Sequence, residues 1–140
     1  MFTRIVLAVD DSDARRHAVS TVAELARRFG ATVHVLHLAP SVVVEYSVVA
    51  LEDDDAARRV LDESVRALRE AGVEADGELV DGMRGQVPTV IADAAERLGA
   101  ELIVLSPHHR GAVASWFRPR VSDAVGHASR VPVLLVPDAG

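Results

Sequence analysis

The sequence of 140 residues predicts one α/β domain, residues 1–140, in which a five-stranded parallel sheet carries four helices distributed over both faces. One observation is that apolar runs such as residues 5–9 and 102–105 are continuous rather than alternating, which is typical of strands buried on both faces. Another is that stretches with apolar residues at helical spacing separate these runs. This alternation of strands and helices favours a parallel sheet with right-handed crossovers.

Each predicted element is bounded by residues that start or stop it. Acidic or proline-containing segments favour the helix starts, and Gly30, Gly72 and Gly99 end the first three helices because glycine accepts the left-handed conformation of a helix C-cap. The predicted strands are residues 5–9, 32–38, 73–80, 102–105 and 131–136. The predicted helices are residues 14–29, 52–71, 87–98 and 121–128.

Proline and composition also predict edges and loops. Pro40 is expected to stop the second strand, and Pro132 indicates an edge position or a bulge for the fifth. Residues 73–80 are polar enough for a sheet edge. Residues 41–50 are predicted to form a crossing loop in spite of their valines, and its exposed apolar residues are typical of a dimer or partner surface. Residues 81–85 are predicted to be a flexible loop.

The composition excludes several classes of function. Because the chain has no cysteine, disulfides, thiolate metal sites and cysteine nucleophiles are excluded. Its 15 basic residues are all arginine, which excludes Schiff-base lysine chemistry and a P-loop lysine. A net charge of −6 argues against nucleic-acid binding. No apolar run is long enough for a membrane span and the N-terminus lacks signal-peptide features, so we expect a cytoplasmic protein without a membrane partner.

The histidines and serines do not form a recognisable metal or hydrolase site. His34 and His37 are three apart on a strand and face opposite sides of the sheet, and residues 108–109 are adjacent, which is poor metal geometry. No Gly-x-Ser-x-Gly motif is present. A flavodoxin-like FMN or electron-transfer protein is also disfavoured. Few aromatic residues are available to flank a flavin ring, and the acidic segment after the first strand would repel the phosphate of FMN. We therefore predict no metal and no catalytic residue.

The candidate ligand site lies at the carboxyl edge of the predicted sheet. In parallel sheets of this class, ligands bind beyond the carboxyl ends of the strands, where the strand order reverses. Here Asp10 follows the first strand and Ser106 follows the fourth. The sequence therefore predicts that these two residues belong to one site.

Four segments, in order, resemble the universal stress protein (UspA) family. Residues 5–12 resemble its opening strand with Val-Asp, a small residue and Ser, and His37-Leu38 resembles its His-Val. Residues 100–105 resemble its Ala-Asp-Leu-Ile-Val-Met segment, and residues 121–136 resemble its C-terminal end. The resemblance implies a flavodoxin-like, Rossmann-like sheet in the order 3-2-1-4-5, a role in stress response and a homodimer often paired through strand 5. The corresponding interface residues are Val131, Val133, Leu134, Leu135 and Val136.

One branch of that family binds ATP through Gly, two residues, Gly, nine residues, and Gly followed by Ser or Thr. Glycines allow the backbone to approach the phosphates, and N–H groups bind the oxygens. Aligned through Val121, the four positions are Ser106, His109, Pro119 and Arg120. None has the family residue, Pro119 has no N–H to donate, and the His109 ring is bulky. The sequence therefore favours a non-enzymatic module that acts through protein contacts, with an unknown protein partner and no cofactor.

An alternative function is a nucleotide-binding sensor with slow ATP hydrolysis. Arg110, Arg118 and Arg120 are able to form an anion clamp, or they pair with carboxylates or lie in solvent. The resemblance implies that Asp10 and Leu38 contact the adenosine part of a nucleotide. Asp10 is equally explained as a helix N-cap.

The loop that carries this degenerate motif also contains two neighbouring aromatic residues, Trp116 and Phe117. They are able to fill the phosphate pocket, to cover it, or to anchor a partner. Packing against the fourth helix is the simpler interpretation. The sequence does not choose among these roles.

Overall fold

The structure is a computed structural model, and it describes residues 2–10, 13–44, 46–50, 54–83, 87–106, 125 and 130–137. The elements in these ranges are β1 (Arg4–Val9), α1 (Ala14–Phe29), β2 (Thr32–Val44), β3 (Ser47–Ala50), α2 (Asp54–Glu70), β4 (Ala75–Met83), α3 (Val87–Leu98), β5 (Leu102–Leu105) and β6 (Val133–Leu135).

Five of these strands form the parallel sheet that the sequence predicts. β1 lies in the middle between β2 and β5, β4 pairs with β2 on one side, and β6 pairs with β5 on the other. The order is therefore β4-β2-β1-β5-β6, and the predicted order 3-2-1-4-5 is confirmed. β4 pairs only with β2 among the strands that the structure describes, as its polar sequence predicts for an edge.

The two faces of the sheet bury separate apolar clusters, which explains why the strand sequences are continuous in hydrophobicity. Ile5, Leu7 and Val9 pack with α1 and α2 on one face. Val6 and Ala8 pack with α3 on the other face. Because both faces of β1 are covered, every residue from position 5 to position 9 is apolar.

The described ranges contain three helices, not the four that the sequence predicts. The predicted fourth helix, residues 121–128, lies outside the described residues except at one position. That position, Val125, is helical and fully buried in the cluster on the α3 face.

The prediction of a crossing loop at residues 41–50 is wrong. β2 continues to Val44, and β3 returns antiparallel to it, so that Val44 lies opposite Ser47. The β-branched valines prefer extended backbone, and pairing with β4 and β3 lets β2 keep it. The two-residue turn needs a positive φ, which Tyr46 supplies at 69°.

Two predicted strand ends are also wrong. Pro40 does not stop β2, because β1 ends opposite His37 and a proline is tolerated where one edge of a strand has no neighbouring strand. β4 likewise continues to Met83, opposite Ser41, although residues 81–85 were expected to form a loop. Both extensions belong to the long pairing of β2 with β4.

Candidate functional site

Asp10 and Ser106 lie side by side in the fold, at the carboxyl ends of two neighbouring strands. β1 and β5 pair in parallel with Ala8 opposite Leu105, so the two strands end within one residue of each other. The chain leaves β1 towards β2 on one side and later returns to β5 on the other, which makes this the switch point of the sheet. Asp10 is 1% exposed and Ser106 is 0% exposed. Two polar side chains are thus buried where this class of sheet binds ligands.

The hydroxyl group of Ser106 already has a protein partner. Its Oγ donates a hydrogen bond of 3.3 Å to the main-chain oxygen of Ala14, the first residue of α1. The bond joins the end of β5 to the start of α1 across 92 positions of sequence. The hydroxyl group of Ser106 therefore ties two elements of the fold together.

His37 orients the end of β1 just before Asp10. It is fully buried, and its Nδ1 lies 3.1 Å from the main-chain oxygen of Val9. Because a carbonyl oxygen only accepts, Nδ1 carries the proton and donates it in this bond. His37 therefore fixes the peptide that leads into Asp10.

Helix α1 begins after Asp13, and Asp10 is not its N-cap residue. The N-cap residue of α1 is Asp13, whose side chain makes no capping hydrogen bond. Asp10 lies three residues earlier, directly after β1. Its buried carboxyl group takes part in an interaction within the fold, as a polar group removed from water requires.

A buried arginine that the sequence analysis did not select lies near this edge. Arg15, in the first turn of α1, is 7% exposed, and its Nη2 lies 3.3 Å from Oε2 of Glu63 in α2. Arg16 contacts the other oxygen of the same carboxylate at 3.5 Å. The only available signal was the position of Arg15 one turn after the acidic segment. The pair fastens α1 to α2 beside the carboxyl edge.

The other predicted site residues are described in part or not at all. The backbone of Leu38 lies in β2 opposite Val80 of β4. The remaining candidates lie outside the described residues: His109, Arg110, Trp116, Phe117, Arg118, Pro119, Arg120 and Val121.

The predicted dimer residues lie on and beside an open strand edge. β6 pairs with β5 and with no other strand in the described part of the chain. Leu134 and Leu135 are 37% and 45% exposed, whereas Val136 is buried. Val131 and Val133 are half-buried against the α3 face.

A cavity lies at the opposite, amino edge of the sheet. Its volume is about 880 Å³, and Arg4, His34, Arg69 and Asp76 contribute to its lining. The two arginines bind main-chain oxygens, of Leu98 and Ala75 respectively, and His34 Nδ1 lies 2.6 Å from Asp76 Oδ1. Within the described ranges no three His, Cys, Asp or Glu residues are grouped to hold a metal. Nor does any described helix have the length and apolar character that a membrane crossing requires.

Comparison with solved structures identifies the same architecture. A universal stress protein family member from Burkholderia pseudomallei has 24% identity and a TM-score of 0.74, over 97% of this chain and 96% of that one. The universal stress protein of Archaeoglobus fulgidus has 26% identity and a TM-score of 0.73, over 97% of this chain and 99% of that one. The Archaeoglobus fulgidus universal stress protein in complex with dAMP is 26% identical, with a TM-score of 0.70 and the same coverage. No curated protein matches the chain.

The sequence itself gives the decisive comparison. The model of the universal stress protein family matches residues 1–137, nearly the whole chain. This match covers the segments on which the resemblance rests, and the sheet order that the resemblance implies is the order observed. The chain therefore belongs to the universal stress protein family.

Proposed function

We propose that this protein is a cytoplasmic stress-response module that acts through protein contacts as a homodimer, without the ATP binding of the family's ATP-binding branch. The observation that carries the proposal is the state of Ser106. At the position of the first motif glycine, this side chain is buried and bonded to the Ala14 carbonyl. A backbone that must approach a phosphate closely needs the space that glycine leaves.

The rest of the motif supports the same conclusion. Pro119 removes an N–H donor, and His109 and Arg120 replace a glycine and a hydroxyl residue. A triphosphate would therefore lose most of the donors that the motif supplies.

The position of β6 supports the homodimer. Among the strands that the structure describes, β6 pairs with β5 alone, and it carries two exposed leucines. Such an edge is a surface on which a second copy can pair. Leu134 and Leu135 have their side chains on opposite faces of the strand, so pairing would cover apolar surface on both. The contact is expected to be symmetric, as in most homodimers.

The test combines oligomeric state and nucleotide titration. Sedimentation of the wild type should give a dimer, and Leu135→Glu should give a folded monomer because it places a charge in the interface. Phe29→Glu is a matched control, since Phe29 is also 45% exposed but lies at the end of α1. The proposal would be contradicted by a wild type that is monomeric at micromolar concentration, or by a Leu135→Glu variant that remains a dimer.

The nucleotide arm uses calorimetry of nucleotide-free protein with Mg-ATP. The wild type should show no binding in the micromolar range. A micromolar Kd would correspond to a binding free energy of about −8 kcal/mol. The combined variant Ser106→Gly, His109→Gly, Pro119→Gly and Arg120→Ser should gain affinity because it restores the phosphate donors. Micromolar affinity in the wild type would refute this half of the proposal.

The second candidate function is the nucleotide-binding sensor with slow ATP hydrolysis. The observation that favours it is the buried carboxyl group of Asp10 at the switch point of the sheet. The 26% identical Archaeoglobus fulgidus protein has been solved in complex with dAMP, which supports a nucleotide as the ligand. In this case Arg110, Arg118 and Arg120 would supply the phosphate contacts that the motif has lost. Asp10→Asn should then weaken nucleotide binding.

A further inference from the structure

His34 lies towards the amino edge of the sheet, next to two carboxylates of the neighbouring strand. In the parallel register it is the partner of Val6 in β1 and of Asp76 in β4. Val6 belongs to the apolar cluster on the α3 face, so the His34 ring lies on that face as well. Glu78 follows Asp76 by two residues in β4, which places its side chain on the same face.

Each nitrogen of the His34 ring faces a different carboxylate. Nδ1 lies 2.6 Å from Oδ1 of Asp76, within hydrogen-bond distance. Nε2 lies 3.8 Å from Oε2 of Glu78, which is too long for a hydrogen bond. Nε2 is nevertheless buried, and it has no hydrogen-bond partner in the part of the chain that the structure describes. One nitrogen of the ring is therefore satisfied and the other is not.

The unsatisfied nitrogen has a simple cause in the protonation of the ring. An ionised carboxylate only accepts hydrogen bonds, so the single proton of a neutral His34 lies on Nδ1 and faces Asp76. Nε2 then presents a lone pair to the Glu78 carboxylate, and two acceptors form no bond. A second proton on Nε2 would turn this contact into a charge-assisted hydrogen bond and remove the cost of a buried, unpaired nitrogen.

Glu78 is held from its other side by helix α3. Its Oε1 accepts a hydrogen bond from Nη2 of Arg97. Because Arg97 binds Oε1, the second oxygen, Oε2, is the one that faces His34. A protonated His34 would therefore complete a continuous chain of charged contacts from β2 through Glu78 of β4 to Arg97 of α3.

The other charged groups near this ring have different partners. Arg4 of β1 and Arg69 of α2 line the adjoining cavity, and both bind main-chain oxygens. Glu74, just before β4, adds a further carboxylate to the lining. The groups closest to the ring nitrogens are the carboxylates of Asp76 and Glu78, and both favour a positive charge on the ring.

We propose that His34 is a pH-dependent clamp, in which a proton on Nε2 bonds the ring to Glu78 and fastens β4 to β2 and α3. Histidine side chains ordinarily titrate between about pH 5 and pH 8, so mild acidification closes the clamp. The unfolded chain lacks these two carboxylate partners, so the folded protein binds the proton more tightly. The resulting stabilisation is present at acidic pH and is lost as the pH rises.

The first test compares the melting temperatures of the wild type and His34→Gln near pH 8 and near pH 5.5. Aspartate and glutamate remain largely ionised at both values, and glutamine takes up no proton. The advantage of the wild type should be larger near pH 5.5 by at least about 2 °C. His17→Gln is the matched control, because His17 is exposed on α1, and its effect should not change with pH. An equal advantage of the wild type at both pH values would overturn the clamp.

The second test repeats this comparison in two backgrounds that both break the ion pair between Glu78 and Arg97. Glu78→Gln removes the charge that faces Nε2 and supplies an amide donor to the neutral ring. The pH-dependent part of the His34 effect should therefore fall below half of its size. Arg97→Gln keeps the carboxylate, and more than half of the pH-dependent part should remain. An effect that survives Glu78→Gln at full size, or that is lost equally in both backgrounds, would contradict the clamp.

Nuclear magnetic resonance of the ring nitrogens gives a readout that needs no folded variant of His34. In the wild type near pH 8, Nδ1 alone should carry a proton, and near pH 5.5 both nitrogens should carry one. In Glu78→Gln the second proton should bind only at a lower pH than in the wild type. A neutral ring protonated on Nε2, or a second proton that binds at the same pH in both proteins, would overturn the clamp.

Discussion

The two edges of the sheet carry polar groups in opposite ways. At the carboxyl edge, Asp10, His37 and Ser106 are all at most 1% exposed, and the bonds of His37 and Ser106 run to main-chain oxygens. At the amino edge, His34 binds an Asp76 side chain that is 74% exposed, and Glu101 binds Thr3 at the surface. The amino edge nevertheless has the cavity of about 880 Å³.

The difference shows that polar groups at the two ends of one sheet are stabilised by opposite means, with main-chain partners in the interior and with side-chain pairs at the surface. A buried polar group must recover in the fold what it loses in hydration, so its position is demanding and its removal costly. Exposed pairs are screened by water and contribute little. Burial of polar side chains therefore marks the carboxyl edge, and variants at matched positions of the two edges measure the contrast.

The largest difference is expected between His37→Ala and His34→Ala on the same strand. His37→Ala removes a fully buried ring and leaves the Val9 oxygen without this donor, so unfolding free energy should fall by about 3 kcal/mol. His34→Ala removes a ring that is bound to an exposed carboxylate and should cost about 1 kcal/mol or less. Urea denaturation of both variants measures the contrast. Equal losses of unfolding free energy in the two variants would show that polar groups at the two edges do not differ in their contribution to stability.

A smaller effect is expected at Ser106. Ser106→Ala keeps nearly the same volume and deletes the hydrogen bond to Ala14, which should cost about 1 kcal/mol. Ser64→Ala is the control, because Ser64 is also buried but bonds to Val60 within its own helix. Ser106→Ala should lower the unfolding free energy more than Ser64→Ala does, because only the Ser106 bond joins two elements, β5 and α1. Equal denaturation midpoints for the two variants would show that the Ser106 bond adds nothing across elements.

Much of this contrast was predictable from the sequence. The continuous apolar runs identify the strands of a parallel sheet, and the ends of those strands place Asp10 and Ser106 at one edge. The depth at which they lie was not predictable, because burial depends on how α1 packs over the strand ends. Arg15 was missed for the same reason, since only the fold shows that α2 supplies its partner Glu63.

The hairpin shows a second limit of the sequence. Valine favours a strand at residues 41–50, but Pro40 and the position between two elements favour a loop, and local signals do not decide between them. The outcome depends on the partners that β2 finds beyond the end of β1, namely β4 and β3. Such pairing is tertiary information, which the local sequence of residues 41–50 does not contain.

The smallest effect is expected at the amino edge, and it depends on pH. Glu101 accepts hydrogen bonds from the Thr3 hydroxyl and from the Thr3 main-chain N–H, and these bonds lower the pKa of the Glu101 carboxyl below its usual value of 4.5. A carboxyl group whose pKa is lower in the folded state stabilises the fold above its unfolded pKa, and this stabilisation is lost as pH falls through the folded pKa. Glu101→Gln removes the ionised form, so its melting temperature should lie slightly below that of the wild type at pH 7. The difference should shrink when both proteins are melted near pH 3. A gap that is constant with pH would mean that the Glu101 carboxylate does not stabilise this edge through its charge, and the amino edge would then contribute even less than the comparison assigns to it.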